Sequence, residues 1–356
     1  EQFQLGHDRA ASDDHSKIIR LVYHLPRYTA LAPHTYIAWR EVEEESGIRL
    51  VLKTGGLDIA PGGAAGEAAL DQREAAMDRQ GIPYERFGAR EVMARWPQFR
   101  LPDGAGAIYQ ADGGLVDTRK AIAAQAALAR ARGATILERT PARALRPAGD
   151  GVEVETEEVT FTARRVIVAV DAWTNHVLES LGIRWPLTVT EEQVTYFATP
   201  HLRDFAPDRF PIWIWHGEEG FYGFPVYGEV ATKAGQDVGG DAVTVDDRRF
   251  APNPRPLRNL MRFLAEHIPD FLGPILYTKP CLYTMPPDRD FIIDRLPDHP
   301  QIAVAVGAAH AAKFSCLIGR ILAQLVTRGE TPYPIEAFQI RRPALTDPNF
   351  RPMFRH

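Results

Sequence analysis

The run Arg165-Val-Ile-Val-Ala-Val170 is continuously apolar after its arginine. A strand of that kind is satisfied only when both of its faces are covered, so it predicts a buried strand of a parallel sheet. It feeds Asp171-Ala-Trp173-Thr-Asn175 and a helix reaching Leu181. From 186 to 234 the texture changes to alternating, aromatic-rich strands at 189–197, 210–215, 220–224 and 230–233, which predicts an antiparallel sheet. Helix 255–266, strands 275–284 and 301–306, and helix 311–328 return to an α/β texture. The succession predicts a mixed α/β (α+β) chain with one domain inserted into another. A length of 356 residues, more than one ordinary core needs, agrees with two domains.

Ahead of the apolar strand, 29–46 reads as an amphipathic helix (Leu31, Tyr36, Trp39 and Val42 on one stripe) ended by Gly47. A strand over 50–59 is broken by Gly55-Gly56, helices follow at 64–80 and 90–95, and Gly106–Gln110 reads as a strand. Gly113-Gly114 reads as a turn and Thr118 as the N-cap of a helix running to about 132. Strands are expected at 134–139, 151–156 and 158–162.

Composition removes several function classes. A net charge of -5 and a pI near 6.2 do not suit nucleic acid, so any attraction for an anion has to be local. No apolar run reaches the ~18 residues of a membrane span, and the opening Glu-Gln-Phe-Gln is no signal peptide. Two cysteines, Cys281 and Cys316, make no disulfide framework, and a reducing cytoplasm is expected. The histidines are dispersed without zinc-ligand spacing, and no Gly-x-Ser-x-Gly elbow is present. Only six of the 41 basic residues are lysine, which draws attention to each of them.

Cys281 is read at the end of an apolar strand, in Lys279-Pro-Cys281-Leu-Tyr283-Thr284, before Pro286-Pro287 and Asp288-Arg-Asp290-Phe-Ile-Ile-Asp294. Taken alone it could be an ordinary buried thiol. Four further signals occur in order: His15-Ser16-Lys17-Ile18-Ile19-Arg20; Phe221-Tyr222-Gly223-Phe224-Pro225 followed by Lys233; Gly307-Ala-Ala-His310-Ala-Ala-Lys313-Phe314; and Arg341-Arg342-Pro343-Ala-Leu345. Together they resemble the monomeric sarcosine oxidase, N-methyltryptophan oxidase and pipecolate oxidase family of FAD-dependent amine oxidases, over nearly the whole chain.

The resemblance implies a Rossmann-like FAD domain from 1–48, 115–184 and 287–356, and an antiparallel-sheet substrate domain from 49–114 and 185–286. It implies FAD held through a thioether at Cys281, an amino-acid-like secondary amine as substrate, O2 as acceptor, and a monomer. The family opens with a Gly-x-Gly-x-x-Gly turn whose helix N-terminus receives the pyrophosphate; nothing here matches it. Glu1 falls where the family carries the acid that holds the adenosine ribose, so the first βαβ elements are expected before Glu1, and the chain as written is expected to bind FAD poorly. Three departures stand out: Asp171 where the family has Gly, Lys17 where Arg is commoner, and Asp237 where sarcosine oxidase has a substrate-side histidine.

By the same resemblance, Arg20 and Lys313 clamp the substrate carboxylate, one as a bidentate fork and one as a point charge. Lys233 lies beneath the flavin and stabilises charge forming on O2, with Lys17 assisting from the other side. Tyr222 and His310 line the substrate side, and Ser16, Lys17, Trp173, His310 and Lys313 border the cofactor. The residues alone leave simpler readings open: a helix-capping Arg20, a snorkelling Lys313, an edge-strand Lys233, a packing Tyr222 and a backbone-bonded His310. A dehydrogenase using another acceptor and a non-catalytic paralogue are the alternatives to an oxidase.

Overall fold

The computed structural model describes residues 1–354, which form four sheets and their covering helices. The largest sheet has nine strands. Its order is Asp241–Ala242, Thr188–Phe197, Thr232–Asp237, Gly220–Phe224, Ile212–His216, Gly56–Ala60, Gly106–Gln110 and Glu85–Gly88, with Ile275–Met285 also paired to Thr188–Phe197. All its pairings are antiparallel except one, between Ile212–His216 and Gly56–Ala60. That parallel seam joins strands from two distant stretches of chain. Helix Pro254–His267 covers one face of this sheet. It starts cleanly because the Asn253 side chain accepts from the Arg255 amide at 3.0 Å and Pro254 occupies the first turn. Phe205, Phe210, Trp213, Phe263 and Phe271 fill the core beneath it.

A second sheet of three strands places His299–Val306 between Val166–Val168, parallel to it, and Ile292–Leu296, antiparallel. Helix Ser315–Arg328 lays Leu317, Ile321, Leu322 and Leu325 into a core shared with Leu31 and Ala32 of helix Pro26–Ser46. The buried strand expected over 165–170 is thus shorter and lies at the sheet edge. With a strand neighbour on one side only, Ile167 remains 42% exposed and Val168 alone is buried. Residues 134–139 form no strand, a second correction. Leu137, Arg139 and Thr140 are held instead by single backbone bonds to Glu1 and Phe3.

A small sheet, Lys17–Ile19, Gly114–Val116 and Val51–Lys53, packs Ile18 and Leu115 against Ile212 and Phe224 of the large sheet and Ile19 and Val116 against Trp39. Gly114 is a strand residue, not part of a turn. A Cβ there would lie 2.1 Å from the Leu52 carbonyl oxygen, so only glycine permits the pairing. This sheet unites residues from both sides of the borders drawn at 48 and 114. Next to it, helix Thr118–Ala131 is capped by Asp117, whose side chain accepts from the Lys120 amide. Thr118 is not the cap: it is the first helical residue, and its hydroxyl donates to the Asp14 carbonyl at 2.6 Å. A meander of Ala144–Ala148, Gly151–Glu155 and Thr160–Ala163 completes the sheets. Among the described residues no helix is long and apolar enough to cross a membrane.

Candidate active site

Strand Thr232–Asp237 lies inside the large sheet, between Thr188–Phe197 and Gly220–Phe224, so Lys233 is no edge-strand charge. Its side chain is 2% exposed and crosses to the segment leading into Lys17–Ile19. There the ammonium spends its three donors on the Ser16 carbonyl at 2.6 Å, the Ser16 hydroxyl at 2.7 Å and Asp14 Oδ2 at 3.1 Å. The Phe224 ring lies 3.8 Å from the nitrogen. Burial lowers the Lys233 pKa to about 8, against the pull of Asp14. Burial would raise Asp14, but Lys233 and Lys17, with the Tyr196 hydroxyl donating, hold its carboxyl well below the usual carboxylate range. Lys17 Nζ lies 3.7 Å from the same carboxylate.

Cys281 sits opposite Glu192 across the strand pair and is buried. Burial pushes its thiol up to about 11 although the Lys17 cation opposes this. It is therefore protonated at neutral pH, and bonding through sulfur requires that proton to leave first. Cys316 is less reactive still, in the first turn of its helix with a thiol pushed up to about 12 by burial. Tyr222 is a strand residue facing Tyr283, and burial raises its phenol well above the ordinary range.

A second group of cations gathers near Lys313, which stands in the 3₁₀ turn Ala311–Phe314 and donates to the His310 carbonyl at 2.9 Å. Burial, with Arg20 and Arg289 adding repulsion, brings its ammonium down to about 7. Arg20 and Lys313, from opposite ends of the chain, thus belong to one electrostatic cluster. Arg289, held at φ 54 after Pro286-Pro287, forks onto Asp237 at 2.7 and 2.8 Å. Arg20 Nη1 donates to Asp58 Oδ1. Asp58 also faces His216 Nε2 at 2.6 Å and Arg73 Nε at 3.8 Å. Because Arg73 Nη2 must donate to His216 Nδ1 at 2.9 Å, the imidazole proton is on Nε2, directed at Asp58. Burial first, then Arg73, lowers the His216 pKa to about 4, so the ring is neutral. Four cations, Arg20, Arg73, Lys313 and Arg289, face two carboxylates, Asp58 and Asp237.

His310 packs its ring against Tyr28 and Phe291, and its Nε2 meets the Arg289 carbonyl at 3.2 Å. These contacts match a loop histidine bonded to backbone, and they tie the 307–310 loop to the 286–290 turn. Burial, Lys313 and Arg289 keep it neutral. The same loop holds Ala308 and Ala309 at φ 46 and 73, a left-handed backbone that costs an alanine roughly 1–2 kcal/mol.

Among the described residues, no hydrogen bond or ion pair joins Glu1 or Trp173 to either cation group. The Glu1 carboxylate accepts from the Phe3 amide at 2.8 Å, and Phe3 meets the Trp173 ring edge-on, beyond the C-terminal end of Val166–Val168. Asp171 adopts φ 44 and accepts from the Thr284 hydroxyl at 3.0 Å. Burial raises its carboxyl to about 6. Sequence reasoning missed Asp14, Asp58, Arg73, His216 and Arg289. One signal was available: Asp58 interrupts the apolar strand Leu57-Asp58-Ile59-Ala60, and a buried acid there demands a cation.

Known proteins share this arrangement of elements. Monomeric sarcosine oxidase of Bacillus sp. (strain B-0618) is 31% identical over 352 residues, covering 98% of this chain and 90% of its own. N-methyl-L-tryptophan oxidase of Escherichia coli O139:H28 is 27% identical over 343 residues, covering 94% of this chain and 90% of its own. Among solved structures, the open form of NikD, an unusual amino acid oxidase essential for nikkomycin biosynthesis, superposes with a TM-score of 0.83 at 28% identity, covering 95% of this chain and 89% of its own. Residues 1–325 match the DAO family of FAD dependent oxidoreductases. A chain that matches over this length belongs to the FAD-dependent oxidoreductase family.

Proposed function

We propose that this chain oxidises the C–N bond of an N-methyl or cyclic amino acid to an imine, with FAD as cofactor and O2 as the final acceptor, yielding H2O2. The observation that carries this reading is the buried group of Arg20, Lys313 and Arg289, whose cations outnumber the carboxylates Asp58 and Asp237 beside them. A lysine brought down to about 7 by burial, and further by neighbouring cations, favours an anion, and an α-carboxylate supplies one. The same surplus, with Lys17 and Lys233 at the other side, suits the electron-rich edge of a flavin ring, so the residues present fit FAD.

When bound, FAD accepts the two electrons and the hydrogen leaving the carbon beside nitrogen. The chain's own residues then have separable tasks. Arg20 and Lys313 fix the carboxylate and so orient the amine. Tyr222 forms a wall of the same space. Neutral His310 maintains the loop that carries Lys313. Lys233, buried and fully hydrogen-bonded, provides positive charge where O2 becomes negative, at no reorganisation cost. Ser16 and Asp14 keep that ammonium in place. Cys281 is the attachment point in this reading, with Cys316 uninvolved; Cys281→Ser should release the flavin on acid denaturation while Cys316→Ser should not. The two-domain division, 1–48, 115–184 and 287–356 against 49–114 and 185–286, belongs to the same reading. It is supported by the large sheet drawing all its strands from the second set.

The test uses full-length flavin-loaded protein. N-methyl and cyclic amino acids should reduce it and yield one peroxide per turnover in air, whereas the matched amines lacking a carboxylate should react poorly. Equal rates with and without the carboxylate would refute the amino-acid reading. Turnover with an artificial acceptor but no peroxide would point to a dehydrogenase.

A further inference from the structure

Asp58, at the centre of strand Gly56–Ala60, is 1% exposed, and three side chains crowd one of its oxygens. Arg20 Nη1 and His216 Nε2 both bond to Oδ1, and Arg73 Nε approaches it to 3.8 Å. The other oxygen, Oδ2, is buried without a partner, and so are Nε of Arg20 and Nε of Arg73. Three unsatisfied atoms in one buried knot are costly, and two of them are complementary: the free Arg73 N–H and the free Asp58 oxygen. The two arginines differ in freedom. Arg73 is anchored by Nη1 on the Ala69 carbonyl at 2.6 Å and Nη2 on His216 at 2.9 Å, and only 5% of its side chain is exposed. Arg20 is 16% exposed, and among the described residues no hydrogen bond ties it elsewhere than to Asp58 except its contact with Tyr23.

We propose that Asp58 is an internal competitor for Arg20 and that Arg73 is the stand-in cation: a carboxylate ligand draws Arg20 away from Asp58, and Arg73 Nε closes onto the carboxylate left behind. Breaking a buried ion pair ordinarily strands a charge at great cost. Here a second guanidinium already waits within a small side-chain adjustment, so Arg20 can change partners while Asp58 stays paired. His216 supports the exchange by keeping Arg73 aimed and by holding Oδ1 throughout. Asp58 thereby sets how tightly a carboxylate is held, and does so without touching it. The proposal rests on the reading of Arg20 as a carboxylate ligand.

The experiment is calorimetric titration of flavin-loaded full-length protein with propionate, with propionamide as the uncharged control. Asp58→Asn keeps the shape and removes the competing charge, so propionate should bind about three- to tenfold more tightly. Arg73→Gln removes the stand-in and should weaken propionate by roughly tenfold, and the double variant should return to the Asp58→Asn level, a non-additive pattern. Propionamide affinity should not move in any of them. Unchanged or weaker propionate binding in Asp58→Asn, or strictly additive effects, would overturn the exchange while leaving Arg20 as the ligand. Should Arg73→Gln fail to fold, Asp58→Asn alone decides. If Arg20→Ala binds propionate as well as the parent does, the carboxylate reading fails and the exchange with it.

Discussion

Two buried cation sites lie in this molecule, and they are built in opposite ways. Around Lys233 every donor of the ammonium is used, the Asp14 carboxylate is bonded on both oxygens, and an aromatic ring closes the top. Around Arg20 and Lys313, cations exceed anions, buried N–H and oxygen atoms lack partners, and the adjoining loop holds two alanines in left-handed backbone. A complete network makes a rigid fixture that holds its charge in one place. An incomplete one stores unfavourable free energy that an incoming anion can release. Under the proposed function, the first construction suits the unvarying oxygen chemistry and the second suits the substrate.

The largest effect should come from breaking the complete site. Lys233→Met removes a preorganised charge, and reoxidation of the reduced protein by O2 should slow by roughly 10²–10³-fold, as loss of one well-aimed electrostatic group does. Oxygen-mixing kinetics check this. Next is the incomplete site: charge-assisted hydrogen bonds contribute about 1.5–3 kcal/mol each, so Arg20→Ala should weaken amino-acid substrates by roughly tenfold to a hundredfold. Steady-state comparison with carboxylate-free amines measures it.

The pH dependence is smaller and sharpens the contrast. Lys313 is held near 7 in the free protein, so its ammonium is present below that pH and is lost as pH rises through it. Carboxylate affinity should be full below pH 7 and fall above it, by at most about tenfold per pH unit, until the higher pKa of the complex is passed. Calorimetry across pH 6–9 would show the step, and Lys313→Met should abolish it. The smallest effect concerns the strained loop. Ala309→Gly relieves a left-handed φ of 73 at some entropic cost in the unfolded chain, and should stabilise the fold by up to about 1 kcal/mol in thermal or denaturant melts.

Lys233, Ser16 and Lys17 of the complete site were legible only through the resemblance of their segments. Local pattern alone left an edge-strand lysine open, and it gave no sign of Asp14. The change in texture at 186 marks the return of the chain from the small mixed sheet to the large, mainly antiparallel one. The incomplete site was less legible because Asp58, Arg73 and His216 come from a strand, a helix and another strand, 15 to 158 positions apart, and periodicity reports only that each is buried. The expectation of a fully covered strand at 165–170 failed for a related reason. Apolar composition encodes a demand for covering, not the identity of the neighbour. The cap misread at Thr118 was a contest between two adjacent residues that both cap well, decided by the Thr118 hydroxyl reaching the Asp14 carbonyl.

The division of labour between the two sites can be tested in one stopped-flow experiment that separates the half-reactions. Anaerobic reduction by the amino acid and reoxidation by O2 are measured for the parent, Lys233→Met and Arg20→Ala. A crossed pattern is predicted: Lys233→Met slows reoxidation and leaves reduction within a few-fold, while Arg20→Ala slows reduction at subsaturating substrate and leaves reoxidation of the ligand-free protein unchanged. Both variants slowing the same half-reaction, or each slowing both alike, would contradict it and make the two clusters parts of a single structural framework.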